Sequence, residues 1–170
     1  MPRTRPAFLL SALALCVAGA LGALLPGAFG QTQAAPGVIR NALAQTSQVQ
    51  GAPQRTLVLS RVVVAPGAQL ALHHHLGTQV AHIESGVLTY TVRRGQVVVR
   101  SDESDQRPTT VRSIKAGQTG RIGAGQWIVE QPSTIHQAAN KGSTPVVIYL
   151  ATLLQKGAPP ATPVTLPEAP

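Results

Sequence analysis

A chain of 170 residues has room for one domain with a leader and tails, and a core of that size folds unaided. Charged residues make up 12% and aromatics 3%, while Val, Leu, Ile and Ala abound and Gly and Pro punctuate the whole length; this disfavours an all-α chain and suits short strands joined by turns. The net charge of +8 is spread over positions such as Arg61, Arg93, Arg94, Arg100, Arg112 and Arg121 without a dense basic run, which argues against a nucleic-acid partner and leaves a mild attraction for anionic small molecules or envelope surfaces.

Residues 1–30 read as a signal peptide. Arg3 and Arg5 precede an uncharged stretch from Ala7 to Leu25, and Ala28-Phe29-Gly30 resembles a cleavage site. An uncleaved anchor is the alternative, but the many Ala and Gly residues favour processing, so no membrane span is expected in the mature protein, which would be periplasmic or secreted. Cys16 is the only cysteine, and it lies in the middle of the apolar run after Leu15, where a small residue would precede a lipidated cysteine. Cleavage leaves no thiol, so disulfides and thiolate ligation drop out and His, Asp, Glu, Asn and Gln remain as metal ligands.

Residues 31–54 are polar, rich in Ala and Gln and weakly patterned, a linker or N-terminal arm able to add an edge strand. The compact domain is expected over residues 55–155. There, ten short β-type runs recur: Thr56–Val64, Gln69–His75, Gln79–Glu84, Val87–Arg93, Gln96–Arg100, Thr109–Ile114, Thr119–Ile122, Gln126–Glu130, Ile135–Asn140 and Pro145–Leu154. Turn pairs such as Pro66-Gly67, Ser85-Gly86 and Ala124-Gly125 separate them, and no sustained helical period intervenes. The pattern predicts an all-β single domain, an antiparallel β-barrel or double-stranded jelly roll. Ser101–Pro108 lacks the glycine and spaced carboxylates of a calcium loop and reads as a solvated hairpin loop. Residues 156–170, with GAPPATPVTLPEAP from Gly157 onward, read as a Pro-rich disordered tail, too rich in proline for a sheet interior.

The distinctive chemistry begins at Gly67, in PGAQLALHHHLGTQVAHIESG. Alternate strand residues share a face, so His73 and His75 point one way and His74 the other. Two imidazoles at that spacing chelate one ion. Gln79 follows a short turn and can return an amide oxygen to the same centre, or else hydrogen-bond to a residue that does. A second stretch, GAGQWIVEQPSTIHQAAN, supplies His136.

Both stretches resemble the paired motifs of the cupin superfamily. The first family motif is glycine, five residues, His-x-His, three or four residues, glutamate, six residues, glycine. Gly67, His73, His75 and Gly86 fall in register, with Gln79 in the glutamate's place. In the second motif Gly125, His136 and Asn140 match, while Gln131 and Ser133 replace the family's proline and glycine and Pro132 is displaced by one. The resemblance covers roughly Val62 to Leu154. It implies a β-barrel holding one divalent transition metal (Fe, Zn, Ni, Cu or Mn) on His73, His75, His136 and Gln79, a small-molecule ligand, and in many members a homodimer. An amide in place of a carboxylate leaves the ligand set neutral, so the ion would stay a stronger electrophile, attractive to anions.

The implied function is an exported metal-dependent enzyme of dioxygenase or lyase/isomerase type, acting on a small anionic or enolisable molecule. The alternative is a non-catalytic ligand- or metal-binding module of the cell envelope. His74 and His82 have the wrong parity and read as structural or surface residues. Glu84 shares His82's parity, and Glu130 directly precedes a turn, so neither is assigned a catalytic role. Trp127, Tyr90 and Tyr149 could line the pocket, with Tyr90 the weakest of the candidate substrate contacts, but core packing is the commoner fate of strand aromatics.

Overall fold

The computed structural model describes residues 36–101 and 109–165, so the expected signal at residues 1–30 and nearly all of the Ser101–Pro108 loop lie outside the described residues. Twelve strands follow in chain order: β1 (Val38–Thr46), β2 (Arg55–Val64), β3 (Gln69–His74), β4 (Gly77–Ser85), β5 (Val87–Arg94), β6 (Gln96–Ser101), β7 (Thr109–Lys115), β8 (Thr119–Gly123), β9 (Gln126–Glu130), β10 (Ile135–Ala139), β11 (Val146–Gln155) and β12 (Thr162–Pro163). No helix occurs among the described residues, and all ten runs expected from the sequence are strands, β2 to β11.

These strands form two antiparallel sheets. The larger has the order β1-β2-β11-β4-β9-β6-β7 and the smaller β12-β3-β10-β5-β8. Period-two alternation explains the layering. On β5 the inward residues Leu88, Tyr90 and Val92 are buried, and on β2 Ser60, Val62 and Val64 are. Val62, Val64, Ile83, Val92 and Ile148 meet in one apolar core between the sheets, and each such side chain contributes roughly 1.5–3 kcal/mol by leaving water. Gly86 makes the sharp reversal from β4 to β5 at φ +79°, where an added Cβ would also approach the Pro145 carbonyl oxygen to 2.8 Å.

Both flanks of the domain add a strand. The N-terminal arm supplies β1, an edge strand on β2 with a bulge between Ala42 and Ala44. The C-terminal segment departs from the expected disordered tail: Thr162 and Pro163 pair with His74 and His73 of β3, and the Val164 amide donates to the Leu72 carbonyl at 3.0 Å. Proline is compatible with this place because β12 lies at a sheet edge, where its missing N–H breaks no interior ladder.

Candidate metal centre

The three histidines come from the smaller sheet. His136 on β10 sits directly opposite His73 on β3, and His75 follows the last residue of β3 with its side chain on the same face. All three are buried, and they offer one ligand atom each within 4.8 Å of one another, a grouping that can hold a metal ion. The ring centroids of His73 lie 4.9 Å from those of His75 and 4.3 Å from those of His136. His74 is only half-buried and outside the group, and His82 lies on the outer face of β4 with its ring 40% exposed beside the exposed Glu84. The parity reading of all four residues holds.

Backbone carbonyls orient two of the rings. His73 Nδ1 lies 2.6 Å from the Ala71 oxygen and His75 Nδ1 lies 2.7 Å from the Pro160 oxygen. A carbonyl only accepts, so each Nδ1 carries the donated hydrogen, and in the neutral ring the Nε2 lone pair is left for the centre. The second of these carbonyls belongs to the C-terminal segment, which therefore helps to build the site.

The larger sheet brings Gln79 and Glu130 to the same centre. They are register partners on β4 and β9, and both are buried. The Gln79 amide nitrogen donates to Glu130 Oε2 at 2.5 Å, and the Tyr90 hydroxyl donates to Glu130 Oε1 at 2.8 Å. Glu130 Oε2 lies 3.2 Å from His75 Nε2, and Oε1 lies 3.3 Å from His136 Nε2. Tyr90 also stacks on the His136 ring, with centroids 5.0 Å apart. Sequence reasoning set Glu130 aside because a turn follows it, and gave Tyr90 to the core. The overlooked signal is strand phase: on β9 Ile128 is buried and Trp127 is not, so Glu130 shares the apolar phase, where an acid needs a buried partner.

Electrostatics follow from this enclosure. Burial, with the charges of His136 and His75, holds the His73 ring down to about 4. Burial also lowers His136, against the pull of Glu130. Burial alone would raise the Glu130 carboxyl, but the charge that His136 and His75 carry when protonated, together with the hydrogen bond from Tyr90, outweighs it and keeps it below the usual carboxylate range. Tyr90 is pushed well above the ordinary phenol value by burial and then by the Glu130 charge. At neutral pH the site therefore holds an ionised carboxylate and a protonated phenol.

The donor set fits a metal. Beyond the three histidines, the Gln79 Oε1 atom is buried and accepts no hydrogen bond, while its amide nitrogen donates to Glu130 and lies 3.4 Å from His75 Nε2. Three buried imidazoles that bring one ligand atom each to a common centre are what a cation would satisfy. The residues enclose a cavity of about 30 Å³, lined by His73, Gln79, Tyr90, Glu130, His136 and, from β1, Arg40. Asn140, the last residue of the second motif, is structural instead: its amide nitrogen donates to the Val64 and Thr144 carbonyls at 2.9 and 2.8 Å.

No protein-family model matches this sequence, and no curated protein matches it. Solved structures do. The polyketide cyclase RemF from Streptomyces resistomycificus matches with a TM-score of 0.52 and 19% identity, over 79% of this chain and 75% of that one. KdgF from Halomonas sp. matches with a TM-score of 0.46 and 19% identity, over 69% and 81%. A cupin 2 domain-containing protein from Halorhodospira halophila matches with a TM-score of 0.49 and 15% identity, over 76% and 71%. At such identities the likeness is one of fold: the chain is all-β, two antiparallel sheets in an architecture shared with RemF.

Proposed function

We propose that this cupin-fold chain is an exported, metal-dependent enzyme that moves a proton on a small anionic or enolisable molecule, in chemistry of the lyase or isomerase type. Glu130 is the observation that carries the reading: a buried carboxylate, hydrogen-bonded by an amide and a phenol, lies within 3.3 Å of two of the three imidazoles. His73, His75 and His136 would hold one divalent transition metal drawn from Fe, Zn, Ni, Cu and Mn, and Gln79 would be a fourth ligand only with its amide turned over to bring the oxygen inward. Bound there, such an ion supplies Lewis acidity toward a carbonyl or enolate oxygen. Export rests on the leader-like sequence of residues 1–30.

The chain's own groups divide the remaining work. Glu130, ionised and fixed by two donors, accepts the substrate proton at a carboxylate oxygen and returns it to a neighbouring atom, so the net change is redox-neutral. Tyr90 stays protonated and serves as the donor that holds Glu130, not as a competing base. The Gln79 amide nitrogen holds the base beside the cluster, donating to Glu130 and lying against His75. The apolar residues around the cavity, among them Leu70, Leu88 and Ile128, form the rest of its wall.

Proton NMR in D₂O tests this, with pyruvate as an enolisable probe and metal-loaded protein. Expected is loss of the methyl proton signal with no oxygen uptake, slowed about 100-fold or more in Glu130→Gln. Exchange that survives this substitution, or oxygen consumed in step with pyruvate, would sink the reading. The size of the cavity favours a second reading, a non-catalytic ligand- or metal-binding module: about 30 Å³ is room for one or two waters, so an organic substrate fits only by its polar head. Tight metal binding without exchange on any of several small 2-oxo acids would support that module. A homodimer is proposed on the exposed apolar row of Leu59, Ala151 and Val80 across β2, β11 and β4, and sedimentation equilibrium at the mass of one chain would refute it.

A further inference from the structure

Arg40 is the only arginine or lysine lining the cavity, and it comes from β1, the strand that the N-terminal arm adds. Its register partner is Val62, itself a lining residue, and with Val38 it forms the inward side of β1. The side chain is half-buried. Among the described residues, no hydrogen bond and no ion pair is made to its guanidinium, although the Glu130 charge reaches it. A half-buried guanidinium with five N–H donors and no protein acceptor thus belongs to a residue that lines the same cavity as His73 and His136.

We infer that Arg40 anchors the carboxylate head of a small ligand at the cavity that His73 and His136 also line. The inference rests on the metal-dependent reading for the far end of the ligand and on Arg40 alone for the near end. Three features select this chemistry. The planar guanidinium fork matches a planar carboxylate through two parallel N–H to oxygen bonds. A space of about 30 Å³ admits a head of two or three heavy atoms more readily than a tetrahedral phosphoryl group. The remaining walls, including Val62, Ile148 and Leu150, offer nothing polar to a larger or more hydroxylated ligand. Burial also lowers the guanidinium from its ordinary value, against the pull of Glu130, so desolvation already works against this charge and an anion beside it would relieve that cost. Glu130 is the opposing group. Its negative charge repels a carboxylate placed against it and so directs the ligand's anionic end toward Arg40, leaving the carbon next to that end nearer the base.

The test is calorimetric titration of the full purified protein, both with the metal it carries and after stripping by a chelator, using acetate as probe. Neutral acetamide and inorganic phosphate serve as comparison ligands. Acetate is expected to bind the wild type and Arg93→Gln alike, since Arg93 is exposed on β5. It is expected to bind at least ten-fold more weakly to Arg40→Gln, with a partial loss in Arg40→Lys and unchanged metal content in all variants. Arg40→Lys keeps the charge on an edge strand, so it reports on the site even if Arg40→Gln loses stability. Equal acetate affinity in Arg40→Gln and wild type, acetamide binding as tightly as acetate, or phosphate binding more tightly than acetate would each overturn the inference. The two readings fail separately. Protein that never takes up a metal refutes the proposed reaction, yet Arg40-dependent acetate binding would persist in the stripped form. Absence of acetate binding from a fully metal-loaded wild type refutes the Arg40 site alone.

Discussion

Ending the chain at Ala158 removes the strap that closes the histidine cluster, and its effect can be worked from three contacts. The His75 Nδ1 bond to the Pro160 carbonyl is lost, as are the Val164 amide bond to Leu72 and the pairing of β12 with β3. Each intramolecular hydrogen bond contributes about 1 kcal/mol net, so the truncated protein should be less stable by about 2–3 kcal/mol. The effect on the metal is more specific. The Pro160 carbonyl fixes the tautomer and ring orientation of His75, which is 1% exposed, and loss of such a partner lowers metal affinity roughly 10- to 100-fold. Competition against a chromophoric chelator measures the affinity, and urea unfolding of the metal-free protein measures the stability. A chain ending after Thr165 keeps every one of these contacts and is the matched control. If both truncations bound metal with the same affinity as the full chain, the C-terminal segment would be no part of the site and the argument would be wrong.

Acid should weaken the metal-free protein. His73 is held at about 4 in the folded protein against 6.5 when free, so the unfolded chain takes up its proton first as pH falls. The stability it contributes is complete above about pH 6.5 and is lost progressively down to about pH 4, by roughly 3 kcal/mol at most. His136 shifts in the same direction, and the depressed Glu130 carboxyl adds a loss below its free value of 4.5. Urea midpoints that rise or stay flat from pH 7.5 to 4 would contradict this enclosure. Tyr90→Phe removes one of the two donors to the Glu130 carboxylate and should cost about 1.5–3 kcal/mol in the same assay, while Tyr149→Phe, on the half-buried outer row of β11, should change little. Equal effects of the two would deny the buried bond.

How far the sequence discloses this arrangement depends on where each signal is written. His73, His75 and His136 were legible because strand parity and motif spacing are local properties, and the ten runs from Thr56 to Leu154 because short apolar runs with turn glycines carry their own period. Gly67, Gly86 and Gly125 all take the positive φ that a turn glycine permits. Strand β1 was legible only as a potential edge, because its bulge and its exposed Asn41, Gln45 and Thr46 blur the alternation. Strand β12 was hidden, since two residues, one of them a proline, carry no period and only the neighbouring β3 makes them a strand. Glu130 needed the pairing of β9 with β4: its meaning lies in standing across from Gln79, at a residue separation of 51 that no spacing rule covers. The carboxylate missing from its usual motif position thus stands on the adjacent strand, hydrogen-bonded to the amide that replaced it. Arg40 was obscure for the same reason, because a lone arginine in a polar arm acquires a role only when β1 is laid over the cavity.

The central claim, that the three histidines hold one ion, is tested most directly by elemental analysis of the protein produced in its native compartment, alongside His136→Ala and His74→Ala. The account predicts one equivalent of a divalent transition metal per chain in the wild type, none in His136→Ala, and a nearly intact content in His74→Ala, whose ring lies outside the cluster. Metal-free wild-type protein, or equal losses in the two variants, would contradict it.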